Sequence, residues 1–274
     1  MLSRSQFDRF RKQFYRMTGV WFEDSRQEFV AKRLVELAAR ESNDDIDTLL
    51  QEFDAPRGSN VASSLVHQLT IHETYFFREE YQFNCLIRDV LPRVEQASPR
   101  GPLRFWTVPC STGEEPYSLA LVLLSRWSRL DVRDVDIFAS DIDWRSIEAA
   151  MAGRYSPRSV QNVPPELLSR YFRKVSQGFE IDREITRAVR FSPCNLANPA
   201  SVPFTEVFDV VFCRNLLIYF DVMSRQRAFS SLHRSLRPGG YLFLGHAESA
   251  HGMPELFEPK TFSDAVVYQK LPLH

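Results

Sequence analysis

Four short stretches of this chain carry residue types suited to holding a polar ligand. Pro109-Cys110-Ser111-Thr112-Gly113-Glu114-Glu115 is a turn of small residues running into a helix pattern, where backbone can approach a ligand and the helix N-terminus is partly positive. Its two glutamates would repel a pyrophosphate and suit cationic groups or hydroxyls; GxGxxG and the GxxxxGK phosphate loop are both absent from the chain. Asp141 ends an apolar run. From there an ionised carboxylate can accept both hydroxyls of a ribose, or it can simply form a turn or cap a helix. Asn195-Leu196 pairs an amide with an apolar neighbour, able to read the edge and face of a purine or to make an ordinary turn. Tyr219, in Arg214–Asp221, either sits in a core with its hydroxyl on a carbonyl or projects over the mouth of a site.

Each stretch follows a predicted strand, and open parallel sheets bind ligands beyond the carboxyl ends of their strands. The strands read as Leu103–Val108, Val135–Ala139, Val189–Ser192, Phe208–Cys213, Tyr241–Leu244 and Asp264–Gln269. Helix patterns lie between them over Glu115–Trp127, Trp144–Met151 and Val222–Leu236, which is the sequence form of a doubly wound α/β sheet. The rhythm breaks between Tyr155 and Arg190: after Pro164-Pro165, Tyr171–Ile181 and its continuation to Arg190 read as short strands around a Gly178 turn, an inserted subdomain. Residues 1–90 read as all-helical. Phe7, Phe10, Phe14 and Met17 recur at helical spacing before Gly19, and Val30, Leu34, Leu37 and Ala38 share a face of a second helix begun after Asp24 or Ser25. Further helix patterns cover Asp45–Phe53 and Val61–Leu69, and the Pro-bearing stretch 91–102 reads as a linker into a domain spanning 103–274.

Composition narrows the partners. With 274 residues, 44% of them hydrophobic, the chain can bury a large core. Its formal charge of -1 gives no global basic field for nucleic acid or an anionic membrane. Four scattered cysteines without CxxC pairs suggest neither disulfide nor metal, and the longest fully apolar run, Leu119–Leu124, is far too short to span a bilayer. A cytoplasmic protein with reduced thiols is expected.

His72–Glu79 (HETYFFRE), Cys110–Ser118 (CSTGEEPYS), Asp141-Ile142-Asp143, Phe208–Asp221 (FDVVFCRNLLIYFD) and Leu236–Ser249 (LRPGGYLFLGHAES) together resemble the CheR family of chemotaxis-receptor methyltransferases over nearly the whole chain. The resemblance implies a Rossmann-like S-adenosylmethionine-dependent methyltransferase sheet with a small N-terminal all-helical domain and an inserted small β-subdomain. It also implies methylation of glutamate side chains on transmembrane chemoreceptors to γ-methyl esters, with S-adenosylhomocysteine as the spent cofactor. Carried over residue by residue, the cofactor contacts fall on His72, Thr74, Arg78, Glu115, Asp141, Asn195, Leu196, Arg214 and Asn215, with His72 standing where the family often has Asn. A non-catalytic sensor that kept the pocket would not need both Arg78 and Tyr219.

The implied reaction needs no general base, because a glutamate with a reference pKa of about 4.3 is already ionised at neutral pH. Orientation is the task left to the protein. Arg78 could hold the carboxylate by two hydrogen bonds and Tyr219 could position it, so these two are expected to be the catalytic pair; the alternative for Arg78 is a salt bridge to Glu79 or Glu80 on a solvated helix. Residues 1–40 hold nine Lys/Arg against five Asp/Glu, and Arg26, Arg33 and Arg40 are spaced by seven in the second helix. This stripe either docks on the acidic, heptad-repeating helical bundle of a receptor or is merely a solvated face. In some family members the β-subdomain also binds a receptor's C-terminal peptide by strand addition, which Tyr171–Arg190 leaves undecided. A monomer is expected.

Overall fold

The computed structural model describes residues 2–40, 45–54, 60–70 and 73–272. The N-terminal helices are α1 (Arg4–Thr18), α2 (Gln27–Arg40), α3 (Ile46–Asp54) and α4 (Asn60–Leu69). Helix α1 starts on a reciprocal cap between Ser3 and Gln6 and stops at Gly19, whose φ of 78° suits glycine. A Cβ on Gly19 would stand 2.3 Å from the Ala197 Cβ, so this glycine also permits close approach to the sheet region. Phe7, Phe10 and Phe14 bury one face of α1 against Leu34, Leu50 and Phe53, with the Phe10 and Phe53 ring centroids 5.4 Å apart.

Residues expected to be linker are partly helix. Helix α5 (Glu80–Cys85) runs through a wider turn at Leu86–Val90 straight into α6 (Leu91–Ala97), because Leu91 and Val94 bury in the core that also holds Leu103 and Phe105. Pro92 has no N–H to donate back into that run, and it falls just past the wider turn, where the Leu91 amide already bonds the Leu86 carbonyl five residues back.

The α/β region then runs β1 (Leu103–Thr107), α7 (Glu114–Arg126), β2 (Val135–Asp141) and α8 (Trp144–Ala152). The insertion follows with β3 (Arg154–Tyr155), α9 (Pro165–Tyr171), β4 (Phe172–Val175), β5 (Gly178–Ile181) and α10 (Arg183–Arg187). The chain returns as β6 (Val189–Pro193), β7 (Phe208–Cys213), α11 (Val222–Ser235), β8 (Leu236–Leu244), β9 (Phe257–Thr261) and β10 (Val266–Lys270). The large sheet has the order β6-β2-β1-β7-β8-β10-β9; the pairings from β6 to β8 are parallel, and β10 is antiparallel to both its neighbours. Central strand β7 is buried at every residue, as a strand covered on both faces must be. The strand order reverses between β1 and β7, and that reversal opens a crevice at their carboxyl ends.

In three places the chain departs from the sequence reading. Strand β8 begins at Leu236 rather than Tyr241, pairing with Phe208 across an irregularity that accommodates Pro238 and Gly239. Phe257–Thr261 is a strand, β9, which the reading lacked. Beyond Ile181 the insertion turns helical as α10, capped by the Asp182 carboxylate, rather than continuing as strands to Arg190. The insertion's own sheet has three antiparallel strands in the order β3-β5-β4, and Tyr155, Phe172 and Ile181 join it to the core on one face of the large sheet. Among the described residues no helix is long and apolar enough to cross a membrane.

Candidate functional site

An open cavity lies at the reversal point, lined by Glu73, Thr74, Tyr75, Arg78, Phe83, Pro109, Cys110, Ser111, Glu115, Arg214 and Asn215. Five of the nine expected cofactor residues therefore meet on one wall. They arrive on three segments: the stretch before α5, the turn after β1 and the loop after β7.

The turn after β1 separates its two glutamates. Glu114 faces inward, accepting from Ser159 Oγ at 2.8 Å and from Thr112 Oγ1 at 2.7 Å, and burial raises its pKa against the pull of those bonds. Glu115 faces the cavity. Burial pushes it up to about 7, with the nearby Arg214 guanidinium opposing the shift and Glu79 adding to it. Its Oε2 accepts from Arg214 Nη1 at 3.0 Å, while its Oε1 is buried with no hydrogen-bond partner among the described residues.

Arg214 is 4% exposed and holds the wall together. Its Nη2 donates to the Arg78 carbonyl at 2.6 Å and lies 3.3 Å from Glu79, whereas its Nε is buried without a partner among the described residues. Glu79 takes φ 55°, a left-handed backbone uncommon outside glycine and turn residues. Burial alone would raise the Glu79 carboxyl, but Arg214 and His246 together hold it below the usual range. Glu115 and Arg214 thus both line the cavity, and each has one buried atom without a hydrogen-bond partner among the described residues. An amino-acid ligand carries groups that match these two side chains, an ammonium for the Glu115 carboxylate and a carboxylate for the Arg214 guanidinium.

Asp141, at the tip of β2, accepts from the Ser111 amide at 2.8 Å and from the Asp143 amide at 2.9 Å, so it shapes the turn after β1 while lying beside the cavity. Asp143 caps α8 and bonds His67 Nδ1 of α4 at 2.7 Å. Asn195 and Leu196 are not on the cavity wall. The Asn195 amide donates to the Met17 carbonyl at 2.6 Å and accepts from the Ala197 amide at 2.9 Å, and Leu196 is 2% exposed in the core of the sheet's other face. His72 lies outside the described residues.

Arg78 does not use its neighbours as ion-pair partners. Glu79 pairs with Arg214 and His246, and Glu80 with Arg126, while Arg78 Nη1 donates to the Glu73 carbonyl at 2.6 Å. Tyr219 is 36% exposed and is not part of the cavity lining; burial raises its pKa, and the charge of Arg78 opposes the rise. All four cysteines are free and buried, and burial pushes Cys85 and Cys194 up to about 12, which leaves no activated thiol among them.

The basic stripe is less uniform than its spacing suggested. Arg26 falls in a short turn (Asp24–Arg26) ahead of α2, because the helix itself starts only at Gln27. Arg33 is paired with Glu36 at 2.8 Å, and the guanidinium groups of Arg26 and Arg33 both lie over the exposed Phe29 ring. Arg40 closes α2 in the open. The charge of Arg26 works slightly against the rise at Tyr219.

Two groups outside the expected set matter here, Glu79 and Glu248. Both lie inside the stretches HETYFFRE and LRPGGYLFLGHAES, and only the folded contacts reveal what they hold.

A family model described as "CheR methyltransferase, SAM binding domain" matches residues 72–266. The chain belongs to the CheR methyltransferase family. It is 41% identical over 98% of its length to chemotaxis protein methyltransferase 2 of Vibrio cholerae, with 94% of that relative covered. It is 31% identical over 97% of its length to chemotaxis protein methyltransferase 1 of Pseudomonas aeruginosa, covering 98% of it. A chemotaxis protein methyltransferase of Vibrio parahaemolyticus is 32% identical over 92% of this chain and is covered to 91%. Family membership makes S-adenosylmethionine the cofactor, and the unmet Glu115 and Arg214 atoms fit its amino-acid end.

Proposed function

We propose that this protein methylates glutamate side chains on the cytoplasmic helical bundle of chemoreceptors, forming glutamate γ-methyl esters for adaptation. One observation carries the reading: in a chain of this family, Glu115, Arg214 and Arg78 line one cavity at the reversal point, and Glu115 and Arg214 each keep a buried atom without a partner among the described residues. S-adenosylmethionine supplies an electrophilic methyl group on a sulfonium.

Glu115 and Arg214 hold the amino-acid end of the cofactor, with Thr74 and Asn215 on the same wall. Asp141 lies where the ribose hydroxyls would be met, its carboxylate fixed in direction by two backbone amides. Asn195 and Leu196 act from behind the wall, tying the loop after β6 to the end of α1. His72 completes the set on the strength of its position in the motif.

Arg78 receives the incoming glutamate carboxylate through paired charge-assisted hydrogen bonds, and Tyr219 fixes its angle. Neither group needs to move a proton, since the nucleophile arrives ionised. Arginine suits this task because it stays charged while the carboxylate loses its own charge on becoming an ester. The rim and the closing carboxylate limit water around the reacting oxygen, so alignment rather than acid–base chemistry supplies the rate.

The helices up to residue 69 form the receptor-facing module in this reading, with Arg26, Arg33 and Arg40 steering acidic receptor helices toward the mouth. Incubating the protein with methyl-labelled cofactor and receptor-bearing membranes should give label that base releases as methanol. Label in base-stable form, or label on small molecules alone, would overturn the assignment.

A further inference from the structure

Glu248 lies in the loop after β8, away from the cavity wall, and the reaction described above does not use it. Its carboxylate nevertheless collects four backbone N–H groups. Oε2 accepts from Asn215 at 2.8 Å and from Gly245 at 2.8 Å; Oε1 accepts from Leu217 at 2.6 Å and, at longer range, from Ile218 at 3.4 Å. Three of those donors belong to the single loop that leaves β7 and carries Arg214, Asn215 and Tyr219.

That loop needs such an anchor. Asn215 takes a left-handed φ of 60°, and the stretch then winds through one tight turn, Leu217–Tyr219, before α11 begins. Consecutive amides pointing the same way repel one another unless an anion collects them. Residue 245 must be glycine for the carboxylate to reach in, because a Cβ there would stand 2.8 Å from Glu248 Oε2 and 2.8 Å from Asn215 Nδ2. The carboxylate therefore pins the ends of β7 and β8 together from behind, while the front of the same loop faces the cavity.

We infer that Glu248 is a positioning residue: its carboxylate sets the conformation of residues 214–219 and thereby places Asn215 against the cofactor and Tyr219 over the substrate carboxylate. The inference rests on the reading of the cavity as the methyl-transfer site. An amide in place of the carboxylate offers one acceptor oxygen and turns an NH₂ donor toward backbone donors, so Glu248→Gln has nearly the same shape and breaks about half of the array. The variant should lose about tenfold or more in kcat, with receptor KM held within about twofold. Glu248→Asp, which keeps the charge on a shorter stem, should fall between the variant and the parent.

Backbone hydrogen exchange supplies the readout that does not depend on activity. In the parent protein without cofactor, the amides of Asn215, Leu217 and Gly245 should exchange slowly for loop positions, and in Glu248→Gln they should exchange about tenfold faster while the core strands do not change. Fast exchange at those amides in the parent overturns the inference even if the variant does not fold. So does a Glu248→Gln protein with parental kcat. An inactive parent with slowly exchanging loop amides would instead count against the methyl-transfer reading and leave the anchoring intact.

Discussion

The loops after β1 and after β8 flank the loop after β7 at the carboxyl edge of the sheet, and each contributes a carboxylate with the opposite kind of company. Glu248 gathers four backbone amides from its own and the neighbouring loop. Glu115 has Arg214 on one oxygen, no partner among the described residues on the other, and burial enough to push it up to about 7. A carboxylate surrounded by fixed amide dipoles is a completed structural joint. One that is buried and half-partnered carries an unmet demand, and a cationic ligand group is the economical way to meet it.

The strongest way to break that contrast is to remove Arg214, whose side chain is 2% exposed between Glu79 and Glu115. Arg214→Ala leaves two carboxylates facing each other in a poorly solvated wall. Deleting one member of a buried ion pair commonly costs about 3–5 kcal/mol, and urea unfolding at pH 8 should show a loss of that order. Arg190→Ala, which removes an exposed partner of Asp136, should cost at most about 1 kcal/mol under the same conditions. Equal losses for the two would mean that the Arg214 cluster is no more buried, energetically, than a surface pair.

Arg78 tests the front of the wall. Its side chain is bonded to a backbone carbonyl of its own segment, so Arg78→Ala should leave the unfolding midpoint nearly unchanged. The two charge-assisted bonds it would make to a substrate carboxylate are together worth about 1.5–3 kcal/mol, which corresponds to a fall in turnover of roughly tenfold to a hundredfold. Parental initial rates of methyl transfer would remove it from the catalytic pair.

Much of this arrangement could be read from the chain, and what escaped has a physical pattern. Periodicity placed β7 at Phe208–Cys213 and the start of α8 at Trp144, because those signals are local. Motifs placed Thr74, Arg78, Glu115, Arg214 and Asn215 together before any contact was visible. The roles of Asn195 and Glu248 escaped, since each is decided by a partner far along the chain. The Asn195 amide answers a carbonyl 178 residues away, and Glu248 answers amides about 30 residues earlier. The early start of β8 escaped for a different reason: Pro238-Gly239-Gly240 has turn composition, and a strand irregularity absorbed it.

Glu115 itself gives a pH test. Its carboxyl titrates near 7 in the folded protein against an ordinary 4.5, so the folded state binds more protons than the unfolded one between those values. Stability from this group is therefore present below pH 4.5 and is lost as pH rises toward 7. Ligand binding runs the other way, because an ammonium prefers the ionised carboxylate. Calorimetry with S-adenosylhomocysteine should find binding about five- to tenfold tighter at pH 7.5 than at pH 6, and Glu115→Gln should flatten the difference. A parental protein with no pH dependence would place the ammonium elsewhere.

The smallest effect belongs to the basic stripe proposed to steer the receptor. Arg26, Arg33 and Arg40 are partly or wholly exposed, and Arg33 already shares its charge with Glu36 at 2.8 Å. Exposed pairs are worth about 0.2–1 kcal/mol each and are screened by salt, so the contribution must be read at low ionic strength. Reversing all three charges should raise the KM for receptor about threefold to tenfold at low salt, leave cofactor affinity unchanged, and lose most of its effect near 0.5 M salt, where charges more than about 4–5 Å apart are screened. Arg26 should account for the largest share, since its charge is felt at Tyr219 and the other two lie farther along α2. If the triple reversal leaves the low-salt KM where it was, the stripe is a solvated face, and the receptor helices meet the mouth of the cavity by some other surface.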